Sequence, residues 1–435
     1  MRTLAFYPTV ALAIGATMGL PYIVVRPASL VPSALDESAL IIAAIWALTT
    51  VIGVASIHRF RTVPFALALL VIMRLFAALY FTDWPGGDDQ QANLTLAHAI
   101  ASGSSYSVQW RGATMLAMYP PGYPLLLTGW AVLFGIGRAS VLVLNNAVDL
   151  AAASALAAII WPNGRRIALL CAFFYLAWPD RIISSLAPNK EGLALLFVCL
   201  ITFSLLGRRF VLLGLSTGLL ALTQPAWLPF PIIASLLVLK DDKRLILSGA
   251  VAAIVMLPWW IRNYLALHQF VPLTTSGPFS IMVAATGRFD EFNYYLSFGE
   301  IEGGKRAAAD ALHVIFASPA RFAVSRTIEI VRSFCFDLEG IGNLGGGTAQ
   351  SAIACQIYYA VMVGLAAAAI GKAGGVLPYI LLAIFIQVVI FAPWVEFDMR
   401  HKELIVVPIL LISMRAFTGL NKLPRSPYEP LPRAL

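Results

Sequence analysis

Two adjacent carboxylates, Asp88 and Asp89, stand in the stretch Trp84-Pro85-Gly86-Gly87-Asp88-Asp89-Gln90-Gln91. A long apolar segment, Val63 to Phe81, precedes them, and another opens after them with Tyr119-Pro120-Pro121-Gly122-Tyr123-Pro124. Carboxylates where a span leaves the lipid are expensive, which makes them functional candidates. One such carboxylate can take the proton of an acceptor hydroxyl while that oxygen attacks a sugar carbon. The second can orient the acceptor or help hold a divalent cation through oxygen ligands. The same residues also suit a polar turn in which Asp88 only caps the following helix.

A sugar carried on a lipid phosphate is one electrophile that fits these groups. Arginine holds such a phosphate through paired hydrogen bonds. Arg262 and Arg400 each sit at the end of an apolar run, at headgroup depth; snorkelling that anchors a helix end is the alternative use of each. A single displacement inverts the anomeric carbon. Retention would need a second carboxylate about 5 Å away across the sugar, which adjacent residues on one turn do not obviously supply.

These groups need a frame, and the composition says which. Of the 435 residues 60% are hydrophobic and 12% charged, against about 25% charged in a soluble domain. The mean hydropathy is +0.82. Apolar runs long enough to cross about 30 Å of hydrocarbon recur along the chain. The fold class expected is an all-α polytopic membrane protein with about 11–13 transmembrane helices. The short alternating segments of a β-barrel are absent. The net charge of +8 does not imply nucleic acid, because the basic residues fall mostly in short loops, as the positive-inside rule requires. Cys171, Cys199, Cys335 and Cys355 have no metal-ligand spacing. The first apolar run, from Leu4, reads as a retained span.

Signs of charge order the rest. Residues 1–62 hold two spans that end at the basic loop His58-Arg59-Phe60-Arg61. Residues 63–266 form a membrane core with an external acidic loop, 83–118. Arg74 within the Val63–Phe81 span should face the bundle or a cavity. Asp88–Ser102 reads as a short interfacial helix stopped by Gly103, with His98 on or near its apolar face. Residues 120–161 are taken as one net crossing, the Pro120 helix being partly inserted or re-entrant. Asp180 to Glu191 is read as an external loop. Phe210–Leu239 is read as a hairpin broken at Thr223-Gln224-Pro225. Residues 267–350 are one large external segment with a strand or extended stretch around Phe270–Thr275 and one or two amphipathic helices within Lys305–Phe334. Its glycine-rich run, Gly340–Gly347, is read as a linker. Residues 351–420 return as late spans, and 421–435 form a cytoplasmic tail. Asp83, Arg111, Glu396, Asp398 and Lys402 fall on the same external face.

Five blocks then resemble the polyprenyl-phosphate-sugar glycosyltransferases of the GT-C class, in particular bacterial relatives of the dolichyl-phosphate-mannose protein mannosyltransferases. They are Gly87-Asp88-Asp89 with Ala97-His98-Ala99-Ile100-Ala101-Ser102-Gly103, Tyr106 and Tyr119-Pro120-Pro121-Gly122-Tyr123-Pro124; Asn189-Lys190-Glu191-Gly192; Pro258-Trp259-Trp260-Ile261-Arg262-Asn263-Tyr264 with Phe270-Val271-Pro272-Leu273; Ser318-Pro319-Ala320-Arg321-Phe322; and Met399-Arg400-His401 with Pro408. They keep their order across roughly residues 63 to 415. His401 departs from the family's usual tyrosine, and Gln90-Gln91 and Asn93 stand where it often has aromatic residues. The resemblance implies Asp88 as base with Asp89 beside it, and Arg262, Arg400, Lys190, Glu191, His401 and Tyr123 around the substrates. It implies a polyprenyl-phosphate-linked sugar as donor and a glycan, lipid or protein acceptor. The charge signs put the site on the external, periplasmic face, and the Ala-rich spans and short basic tail suggest a bacterial inner membrane. A divalent cation is compatible with the acidic pair. A transporter or flippase of lipid-linked substrates is the rival; it should show paired inverted halves, and no internal repeat is evident.

Overall fold

Apolar runs of this length become helix almost everywhere in the computed structural model. It describes residues 63–80, 88–287, 293–334, 349–370, 376–391 and 403–416. The two spans expected in 1–62, Asp83, the Gly340–Gly347 run, residues 392–402 with Arg400 and His401, and the tail lie outside the described residues.

The order is α1 (Val63–Tyr80), α2 (Asp88–Ala101), β1 (Val108–Trp110), β2 (Ala113–Met115), α3 (Gly122–Phe134), α4 (Arg138–Ile160), α5 (Arg165–Leu176), α6 (Pro179–Ser184) and α7 (Glu191–Gly207). Then come α8 (Phe210–Thr223), α9 (Pro229–Leu239), α10 (Leu245–Leu267), α11 (Ser276–Thr286), α12 (Asn293–Ala317), α13 (Pro319–Phe334), α14 (Ala349–Ala369), α15 (Leu377–Phe391) and α16 (Val406–Ala416). The centre is α4 packed on α5 and α7, with α1 against α4 and α5 and α16 against α5 and α14. Phe173, Tyr175, Trp178 and Phe230 are buried in it. α10 lies along α8 and turns Ile246, Ile254, Ile261 and Leu265 outward.

Among the described residues two helices are long and apolar enough to cross a membrane, Arg138–Asn163 and Leu245–Leu267. The other apolar helices are shorter. α3 has 13 residues and reaches about 20 Å at 1.5 Å per residue, less than a bilayer's hydrocarbon.

The 210–239 segment goes out and back. Arg208 meets Asp242 at 3.6 Å, and the Arg244 guanidinium lies 4.4 Å from the Phe210 ring centre, so both ends reach one face. The break falls at Gln224, whose φ of −138° leaves the helix. Its tip presses on the start of α3: a Cβ on Gly122 would lie 2.4 Å from the Thr223 Oγ1 and 2.7 Å from the Leu222 carbonyl.

Three expectations change, and one element is new. His98 is exposed, because the buried face of α2 runs through Ala92, Leu96 and Ala97, and His98 is one step round the helix from them. Asp180 to Glu191 is not loop throughout: it begins in helix α6, and Asp180, Arg181, Ser184, Ser185, Asn189 and Glu191 are all buried. Phe270–Thr275 joins no sheet; the Trp259 and Trp260 indoles hold the carbonyls of Leu273 and Pro272 at 2.6 and 2.8 Å. The 108–115 hairpin was not anticipated. It pairs Val108 with Met115 and Trp110 with Ala113, and turns through Arg111 and Gly112 at φ of 47° and 89°, the positive pair that the tightest hairpin loops require.

Candidate active site

Helix α2 opens with Asp88 and Asp89 and closes where Gly103, at φ 67°, leaves the helix. The Asp88 carboxylate is outside the described groups; Asp89 is half-buried. Polar side chains one and four residues past Asp89 dock this end of the helix. Gln90 donates to Asn189 Oδ1 at 2.8 Å, and Asn93 donates to the Pro188 carbonyl at 3.0 Å. The acidic end of α2 is thus tied to the turn that carries Lys190 and Glu191.

Tyr123 enters the same turn from α3. Its hydroxyl donates to Asn145 at 2.7 Å, and Asn145 donates to the carbonyls of Ser185 and Ala187 at 3.2 and 2.6 Å. Lys190 precedes α7 and is partly exposed; it makes no ion pair among the described residues. Glu191 lies in the first turn of α7, where the helix dipole favours an anion. It is buried, and its Oε2 has no hydrogen-bond partner among the described residues.

Behind this turn lies a buried ionic cluster. Arg74 pairs with Asp149 and donates to Asn146 at 2.7 Å and to the Leu176 carbonyl at 2.9 Å. Arg181 holds the other Asp149 oxygen at 2.9 Å and Glu403 at 2.6 Å. Arg74 therefore faces the bundle, and its costly burial is offset by an anion and three neutral acceptors, the third being the Arg181 carbonyl at 3.4 Å. Gly192 leaves room for the cluster, since a Cβ there would come within 2.7 Å of an Arg181 nitrogen. The inward turn of Arg74 was legible. Asp149, Arg181 and Glu403 were missed, although Asp149 stands in an apolar run and the same cost argument selects it.

Arg262 stands at a second locus. It donates to the carbonyls of Leu116 and Tyr106 at 2.6 and 2.5 Å, and its guanidinium lies 5.0 and 5.2 Å from the ring centres of Tyr106 and Trp259. Two of its nitrogens thus already serve the chain. Burial pushes the Tyr106 phenol well above its ordinary range, so it stays a neutral donor, to the Tyr119 carbonyl at 3.2 Å. The structure brings Asp89, Tyr123, Lys190 and Glu191 to one junction of α2, α3 and α7; Arg262 reaches the loop that leads into α3. Among the described residues no three His, Cys, Asp or Glu side chains converge as a metal site. Asp89 and Glu191 are the carboxylates nearest that junction by sequence and could offer a cation oxygen ligands.

Two solved structures are similar to the chain. These are crystal structures of ArnT from Cupriavidus metallidurans. In the apo state the identity is 16%, over 81% of this chain and 76% of that one, with a TM-score of 0.39. Bound to undecaprenyl phosphate it is 17%, over 80% and 76%, with a TM-score of 0.42. No protein-family model matches the chain, and no curated protein does.

Proposed function

We propose that the chain is a polytopic membrane glycosyltransferase that moves a sugar from a polyprenyl-phosphate donor to a hydroxyl acceptor. The acceptor oxygen attacks the anomeric carbon as the bond from that carbon to the phosphate oxygen breaks. The hydroxyl proton passes to Asp88, and the bond's electron pair leaves with the polyprenyl phosphate. One displacement inverts the anomeric centre. Asp89 orients the acceptor. Lys190 and Arg400 meet the phosphate, whose charge rises as it departs, with Arg262 shaping the neighbouring loop. Glu191, Tyr123 and His401 border the substrates.

One observation carries the reading: the 2.8 Å bond from Gln90 to Asn189. It ties the acidic end of α2 to the turn that carries Lys190, and in this reading the base and the phosphate cation work from the two sides of that tie. The order of the five sequence blocks gives independent support. The membrane reading rests on the two long apolar helices and on the outward apolar face of α10, with the acidic junction on the periplasmic side of a bacterial inner membrane by the charge rule.

The test is a panel of radiolabelled polyprenyl-phosphate sugars offered to the purified protein in lipid, with membrane extract as acceptor. Label should move from one donor class and arrive with inverted configuration. A panel that yields no transfer under conditions where the protein is folded overturns the proposal.

A further inference from the structure

The loop between β2 and α3 is gripped from two sides. Glu300 on α12 accepts the backbone N–H of Leu116, that of Ala117 at 2.9 Å, and the Thr275 hydroxyl. The Thr275 N–H in turn donates to the Ala117 carbonyl at 3.0 Å. From the other side Arg262, near the end of α10, holds the Leu116 and Tyr106 carbonyls. Leu116 therefore gives its N–H to an acid and its carbonyl to a base. The two charged groups form no ion pair with each other; each is satisfied by the loop.

The sequence around Glu300 is built for this contact. Gly299 has φ 75° and ψ −179°, a region that is essentially glycine-only, and it kinks α12 directly before the carboxylate. The two arms of α12 then meet at Gly303, where a Cβ would lie 2.6 Å from the Tyr294 carbonyl. Glu300 is 8% exposed. A buried carboxylate that accepts three donors from two other segments makes strong, charge-assisted bonds.

We propose that Glu300 is a positioning residue that couples the 267–350 segment to the substrate junction. This rests on the transfer reading above. The loop it grips runs straight into Tyr119-Pro120-Pro121-Gly122-Tyr123. Tyr123 reaches the 185–187 backbone through Asn145, and α3 packs along α2. Glu300 acts through the loop, not on the reacting atoms, so it governs how well the substrate surface is formed.

The experiment uses the full chain in lipid and the variant Glu300→Gln, which keeps the volume but turns an NH₂ toward backbone N–H groups. Amide exchange at Leu116 and Ala117 should quicken roughly tenfold, as expected for about one lost buried hydrogen bond. KM for the radiolabelled donor found by the panel should rise roughly tenfold with kcat within about threefold. Thr275→Val, which removes one donor only, should move both readouts less and serves if Glu300→Gln does not fold. Exchange at 116–117 unchanged in a folded variant, or a fall in kcat with KM untouched, overturns the coupling. A wild type that transfers from no donor defeats the transfer reading instead, and the exchange result then decides the Glu300 grip alone.

Discussion

Gln90 on α2 donates to Asn189, 99 residues later, at 2.8 Å, and both residues are buried. This bond and the one from Asn93 to the Pro188 carbonyl tie the acidic end of α2 to the Lys190–Glu191 turn. A buried hydrogen bond of this kind contributes about 0.5–1.5 kcal/mol net. A double-mutant cycle of Gln90→Ala and Asn189→Ala, read by thermal unfolding in detergent, should return a coupling of about that size. Transfer should fall in Gln90→Ala by more than stability does, because the proposed base, Asp88, stands at that helix end.

Asp149 is the one anion that both buried arginines share. Asp149→Ala strands two guanidiniums in an apolar interior, and breaking such a buried pair costs about 3–5 kcal/mol. The expected result is loss of folded protein on size exclusion. Glu403→Gln, which keeps an acceptor for Arg181, should lose much less.

Gly122→Ala tests the contact between the broken hairpin and α3. The new methyl would sit 2.4 Å from the Thr223 hydroxyl and 2.7 Å from the Leu222 carbonyl. Thr223→Ala in the same chain removes only the first clash, so rescue should be partial. Overpacking of this kind costs about 1–3 kcal/mol, to be read as a lowered melting temperature. Gly129→Ala, where nothing lies within 4 Å, should leave the melting temperature unchanged.

The helices were legible because long apolar runs must satisfy their buried backbone hydrogen bonds internally, as a helix does. The bounds of α2 were legible as well, since Asp88 begins it and Gly103 ends it. The inward turn of Arg74 followed from its cost. What stayed hidden depends on pairing at long range. Arg181 looked like part of a polar loop, and only the fold brings it to Asp149 and, 222 residues on, to Glu403. The strands of the 108–115 hairpin are three residues each, too short for alternation to declare itself. Glu300 lay in a helix read as beginning at Lys305, whereas that helix begins at Asn293 and kinks at Gly299.

The most direct measurement compares wild type, Asp88→Asn and Asp89→Asn in the donor assay, each shown folded by its melting curve. Loss of a general base typically costs 10²–10⁴-fold, so Asp88→Asn should lower kcat by about that factor with little change in donor KM, and Asp89→Asn should do less harm. Transfer at the wild-type rate in a folded Asp88→Asn protein would contradict the assignment of Asp88 as base.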